Sequence, residues 1–241
     1  MKIILIIQAR MGSTRLPGKV MKKLGDRTVL GHVITRAMAV PSADQVVVAT
    51  TVLPEDAVIA EEARSHGAQV YRGSEGHVLS RYYEAATEAK ADVVVRLTSD
   101  CPLLDPAVSE RVIRTFLEGN YDYVRLGLES YPRGLDTEVF TYAALKQAYE
   151  EAEKEYEFEH VTPFILERPD RFRIGIVQQD EDDSGFRLTL DTPKDWQLIE
   201  KVYDALYEGR LFSWADVKKV LQANPDWVMI NAGVKQKKPG E

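Results

Sequence analysis

Apolar residues follow two rhythms in the first half of this chain. Short unbroken runs at Ile3 to Ile7, Gln45 to Ala49, Gln69 to Tyr71 and Asp92 to Leu97 alternate with segments of helical spacing. The runs Val46-Val47-Val48 and Val93-Val94-Val95 have no polar alternation, the mark of strands buried on both faces. Helical patterns fall at Val29 to Ala39, Asp56 to His66 and Val78 to Lys90. A fourth runs from Asp105 to Glu118, with Pro106 suited to its first turn. The second half is more mixed. Strands are predicted at Asp122 to Arg125, Glu138 to Phe140, Phe172 to Val177 and Phe186 to Leu190. The charged stretch Tyr142 to Tyr156 reads as an exposed helix, and further helices are expected near Trp196 to Tyr207 and Trp214 to Gln222. Alternation of this kind predicts an α/β fold, a mixed and mostly parallel sheet flanked by helices. With no internal repeat and no dividing linker, residues 1–234 are expected to form one domain, followed by a polar, disordered tail at 235–241.

Composition narrows the function. The chain has 241 residues, 44% hydrophobic and 29% charged, with a formal net charge of -7, which argues against a broad nucleic-acid-binding surface. Its one cysteine, Cys101, allows no intrachain disulfide; with nothing nearby to supply a thiol-protease partner, it is expected to be a small packed residue. The apolar run at the start is too short for a signal core or a membrane span, so a cytoplasmic protein with no membrane partner is expected.

One stretch breaks the acidic balance. No acidic residue precedes Asp26, whereas Lys2, Arg10, Arg15, Lys19, Lys22 and Lys23 are cationic. The loop Gln8-Ala9-Arg10-Met11-Gly12-Ser13-Thr14-Arg15-Leu16-Pro17-Gly18-Lys19 directly follows the first predicted strand, where open α/β sheets bind ligands. Gly12 and Gly18 permit close backbone approach, Ser13 and Thr14 supply donors, and the arginines and lysine suit a polyphosphate. It is not a Walker loop: five residues separate Gly12 from Gly18, and Val20 follows Lys19. The bland alternative is a solvated basic loop.

The run Gln8 to Lys19 resembles the nucleotide-binding signature of the cytidylyltransferases that make CMP-activated acidic sugars, nearest to the spore coat polysaccharide biosynthesis protein F branch. Further matching blocks occur in order: Val47 to Thr51, Arg72 to Ser74, Val78 to Tyr82, Asp100 to Asp105, Tyr131 to Asp136, Glu159 to Pro163 and Leu190 to Asp195. The resemblance implies a GT-A-like nucleotidyltransferase fold, a Mg2+ requirement, and CTP and a small sugar as substrates. It places Ala9, Arg10, Gly12, Ser13, Arg15, Lys19 and Thr98 at the nucleotide, with Arg10, Lys19 and Asp100 central to catalysis. It also makes Asp100 and Asp191 the metal ligands. Thr98 departs from the family's better-known members, which carry a base-reading glutamine there, so CTP is favoured but not fixed. Related enzymes are often dimers, which leaves a homodimer open.

Asp100 and Asp191 each follow an apolar run, where two carboxylates can share a hard cation with phosphate oxygens. Their bland readings are a turn stabiliser for Asp100 and a helix cap for Asp191. Arg133, Asp136 and His160 are candidates for holding the sugar, although Arg133 and Asp136 are as well suited to pairing with each other, and His160 to a structural role. The acidic run Asp180 to Asp183 reads as a solvated turn, and Tyr82, Tyr83, Trp196 and Trp214 as packing residues. Two rival functions share such a fold: a glycosyltransferase using a nucleotide-sugar, and a non-catalytic nucleotide-binding protein. The first commonly has an Asp-x-Asp motif, which the sequence Asp100-Cys101-Pro102 lacks.

Overall fold

A computed structural model describes residues 1–236 of the chain. The first strand, β1 (Ile3–Gln8), is the spine of the fold. Ile3, Leu5 and Ile7 enter one hydrophobic core and Ile4 and Ile6 another, as the period of two along a strand requires. A small antiparallel hairpin follows, β2 (Lys23–Leu24) and β3 (Arg27–Thr28). Then come α1 (Val29–Met38), β4 (Gln45–Thr51), α2 (Ala57–Ser65), β5 (Gln69–Gly73), α3 (Val78–Glu88), β6 (Val93–Thr98) and α4 (Pro106–Glu118). The second half supplies β7 (Tyr123–Leu126), β8 (Glu138–Thr141), α5 (Tyr142–Glu151), α6 (Glu155–His160), α7 (Pro163–Leu166) and β9 (Ile174–Val177). It closes with α8 (Pro193–Leu206), α9 (Trp214–Ala223) and α10 (Pro225–Val228).

The main sheet has seven strands in the order β5-β4-β1-β6-β8-β7-β9. Only β8 opposes its neighbours, so the sheet is mixed and mostly parallel. Side chains of α1, α2, α4, α8 and α9 pack on one face, and those of α3, α5 and α7 on the other. The polar edge beyond the carboxyl ends of β1, β4 and β6 is the crevice where such sheets take ligands.

Three expectations change. Phe186 to Leu190 is not a strand: its ties across the chain are an isolated bridge from Arg187 to Arg133, Leu188 donating to the Arg133 carbonyl (2.7 Å), and Leu190 donating to that of Asp100 (2.8 Å). The segment crosses the Tyr131 to Asp136 turn, with Gly134 (φ 108°) pressed against Leu188, so no sheet edge is free for it to extend. The stretch Tyr142 to Tyr156 breaks at Ala152 into α5 and α6. The cause is the fully buried Glu157, whose carboxylate accepts the N–H groups of Glu153 and Lys154 (3.0 Å each) and starts a new helix. Asp183, read as part of a solvated turn, is buried and paired with Lys218. Of the tail, Lys235 and Gln236 are described; the disorder expected of the remainder lies outside the described residues. No helix among the described residues is long and apolar enough to cross a membrane.

Candidate active site

The basic loop is held from below by Asp56, a buried residue whose carboxylate accepts the Met11 N–H (2.7 Å) and the Thr51 hydroxyl. At its far end Gly18 adopts a left-handed conformation (φ 63°), and Lys19 N–H closes back on the Leu16 carbonyl (3.2 Å). This turn sends the Lys19 side chain inward. Its ammonium donates to Asp100 Oδ2 (2.8 Å) and Asp191 Oδ1 (3.0 Å), joining parts of the chain 81 and 172 residues away. Burial works against the ammonium, but the two carboxylates outweigh it and hold the Lys19 pKa above the ordinary lysine value. Burial likewise opposes the Asp100 charge, and Lys19 overcomes it, so Asp100 stays below the usual carboxylate range.

Asp191 gathers three cations. Arg15 lies 3.1 Å from its Oδ1, beside Lys19, and Arg187 donates to its Oδ2 (2.8 Å). Arg187 is fixed in turn by Asp195 (2.9 Å), whose carboxylate also completes a capping box with Thr192. The helix cap is therefore Thr192, and the Asp191 side chain turns instead to these three cations at the cleft. Arg10 is different. It is about half exposed and stands 3.7 Å from Glu75, a loose pairing that leaves its guanidinium available.

Arg10, Arg15, Lys19, Asp100 and Asp191 line a cleft of about 350 Å³ together with Ala9, Gly12, Ser13 and Thr98. The opposite wall carries Val78 and Arg81 of α3, with Glu159 and His160 at the end of α6. His160 is presented by an unusual turn: Thr162 N–H donates to the His160 carbonyl (2.8 Å) around Val161, which has φ 70° and ψ -53°. A φ-positive γ-turn on a β-branched residue is strained and needs surroundings that enforce it. Val161 is fully buried, and the Thr162 hydroxyl is tied to Glu138 (2.9 Å), which also accepts from Arg96 and Tyr123. Burial lowers the His160 pKa despite Glu159 nearby, so the ring is neutral at neutral pH.

Of the expected site residues, the whole nucleotide set, both aspartates and His160 meet at this cleft. Arg133 and Asp136 do not line it. They lie 3.8 Å from each other, and Asp136 accepts the Gly134 N–H (2.6 Å), as a turn-stabilising pair would. Sequence reasoning missed Arg187 and gave no individual role to Arg81 or Gln8, although both lie in the matching blocks. Nothing in the spacing of Arg187 from Asp191 marks it as an anchor, whereas Val78 and Arg81 stand three apart on one helix face and were legible as neighbours. Cys101 is buried and packed. Tyr82 is buried with its hydroxyl on the Leu97 carbonyl (3.0 Å), as expected of a packing residue.

A mostly parallel sheet with a cationic, glycine-bearing loop after its first strand, facing two aspartates, is the arrangement of a nucleotidyltransferase. Comparison with known proteins narrows this. The sequence model of the cytidylyltransferases matches residues 4–220. The chain is 33% identical to the spore coat polysaccharide biosynthesis protein SpsF of Bacillus subtilis, over 93% of this chain and 95% of that protein. It is 40% identical to an uncharacterized protein of Methanocaldococcus jannaschii, over 98% and 97% of the two chains. A solved cytidylyltransferase from Leptospira borgpetersenii superposes with a TM-score of 0.91 at 33% identity, covering 99% of both chains. The fold extends to a CMP-2-keto-3-deoxy-manno-octonic acid synthetase solved with CTP, at a TM-score of 0.68 and 17% identity, over 85% of this chain and 99% of that one. The chain belongs to the cytidylyltransferase family.

Proposed function

We propose that this protein activates a sugar, transferring CMP from CTP to a sugar hydroxyl and releasing pyrophosphate, in the biosynthesis of a polysaccharide or surface glycan. The observation that carries the reading is the meeting of Arg10, Arg15 and Lys19 with Asp100 and Asp191 in one cleft of a family member. Names of relatives point the same way, since one is a spore coat polysaccharide protein and another a 3-deoxy-manno-octulosonate cytidylyltransferase of Solibacter usitatus, matched over 46% of this chain. An acidic sugar is the substrate class this favours.

The reaction asks the protein for position and charge more than for covalent chemistry. Gly12 lets the backbone come close to a triphosphate, and Ser13 adds a hydroxyl. Arg10 is the available cation of the loop, while Arg15 and Lys19 would exchange part of their carboxylate pairing for phosphate as pyrophosphate leaves. Asp100 and Asp191 fit a magnesium ion: both turn an oxygen to one shared cation, the Lys19 ammonium, and magnesium favours few carboxylates with phosphate oxygens and water completing its shell. When bound, magnesium would neutralise phosphate charge. His160, which lines the cleft wall, is the sugar contact in this reading.

The test is pyrophosphate release with magnesium, using each of the four nucleoside triphosphates against a panel of acidic and neutral sugars. Release with CTP and one acidic sugar is expected. Asp100→Asn is expected to lose turnover by a factor of about a hundred or more while keeping its fold by circular dichroism; unchanged turnover would remove Asp100 from the mechanism.

A further inference from the structure

The cations of the loop face the triphosphate, which is common to every nucleoside triphosphate, so they cannot choose the base. We infer that Gln8 reads the base, its carboxamide bonding the amino edge of cytosine; the inference rests on the nucleotide reading of the cleft given above. Gln8 lines the cleft at the end of β1, yet its Oε1 is sealed from solvent with no donor among the described residues. Buried acceptors are nearly always paired, and an unpaired one beside a binding cleft points to a missing partner.

The register of the sheet sets the frame. Gln8 stands opposite Ala49 of β4 on one side and Thr98 of β6 on the other. All three belong to the face of Ile4 and Ile6, and both neighbours carry short side chains. The Thr98 hydroxyl is already engaged with Cys101 Sγ (3.2 Å). Arg81 faces the same space from α3. It is buried, its NH1 is spent on the Ser74 carbonyl (2.8 Å), and its Nε–H has no acceptor. An unmet acceptor and an unmet donor thus both belong to residues that line the cleft. Cytosine offers the matching pair, a 4-amino donor beside ring N3 and O2 acceptors. Uracil presents a 4-oxo acceptor where the amino group is wanted, so it leaves the buried Gln8 Oε1 unpaired.

The experiment is calorimetric titration of the full chain, with magnesium, by CTP, UTP and inorganic tripolyphosphate. It compares the natural protein with Gln8→Leu and Gln8→Met, two apolar replacements that fill the site differently. The natural protein is expected to bind CTP about tenfold or more tighter than UTP, the scale of one discriminating hydrogen-bond pattern. In both variants CTP should weaken about tenfold and the two nucleotides should bind within about twofold of each other. Tripolyphosphate affinity should stay unchanged, which certifies an intact loop and fold. Preserved CTP preference in a variant that binds tripolyphosphate normally would overturn the assignment of Gln8 and leave the cytidylyltransferase reading standing. Failure of the natural protein to bind CTP beyond tripolyphosphate would instead overturn that reading, and this inference with it.

Discussion

Removing the Lys19 ammonium tests whether the site is held together as an ion network. In Lys19→Met the stem and volume remain while the charge common to Asp100 and Asp191 disappears. The two aspartates are not affected alike. Asp191 keeps Arg15 and Arg187, at 3.1 and 2.8 Å. Asp100 loses the one ion-pair partner it has among the described residues. Breaking a buried pair by deleting one member costs about 3–5 kcal/mol. The Asp100 side chain is 24% exposed and Asp191 stays compensated, so the expected loss falls at or below the bottom of that range, about 2–3 kcal/mol near neutral pH. The pH dependence carries the sharper signature. In the natural protein the Asp100 pKa is depressed, so its stabilisation is present above the unfolded carboxylate pKa and is lost as pH falls. In the variant, burial and the Asp191 charge push Asp100 upward instead, so protonation relieves the destabilisation. The two proteins should therefore converge in stability as pH falls from neutral toward the unfolded carboxylate pKa of about 4. Urea unfolding across that range measures it. A deficit that is the same at every pH, or one under about 1 kcal/mol, would refute the network account.

Two other perturbations separate fold from site. Gly134→Ala would set a Cβ 2.5 Å from the Leu188 carbonyl carbon at a φ of 108°, so denaturant unfolding should register a loss of about 2 kcal/mol or more. Because Leu188 leads into Asp191, pyrophosphate release should fall as well, and an unchanged enzyme would show that this crossing does not place Asp191. His32 is buried with its Nε2 on the Leu24 carbonyl (2.7 Å), and burial lowers its pKa to about 4. Unfolded histidine takes up its proton at a higher pH, so stability is complete above about pH 6.5 and falls as pH drops toward 4, by up to about 3 kcal/mol. His32→Asn should flatten that part of the stability profile, and an identical slope would assign it to another group.

What was legible in the sequence follows from how local each signal is. The strands β1, β4 and β6 are apolar on both faces, and only burial between two helical layers explains that pattern. Their carboxyl ends then had to share an edge, which is why Lys19 and Asp100 could be expected to meet. Phe186 to Leu190 misled because an apolar alternating run fixes burial, not hydrogen-bond partners. Leu188 and Leu190 are buried as the pattern requires, but their N–H groups go to carbonyls of two crossing loops. The stretch Tyr142 to Tyr156 misled for the opposite reason. A glutamate among many charged neighbours looks solvated, yet Glu157 is fully buried, bonded by Arg168 (3.0 Å) and two backbone N–H groups.

The same distinction explains the site. Residues proposed to act through their own charge, such as Arg10 and Lys19, stand out in a stretch with no acidic residue. Residues that act by orienting others do not. Arg187 is one arginine among many until Asp195, Asn231 and Thr192 are seen to lock the cluster behind Asp191. Val161 is one valine among many until its φ of 70° is known. That angle is a property of the tertiary surroundings, enforced by the Glu138 network beneath it, and it fixes where the His160 ring enters the cleft. A chain can thus announce its chemistry in a short basic loop while the devices that aim that chemistry are written in contacts between segments far apart in sequence.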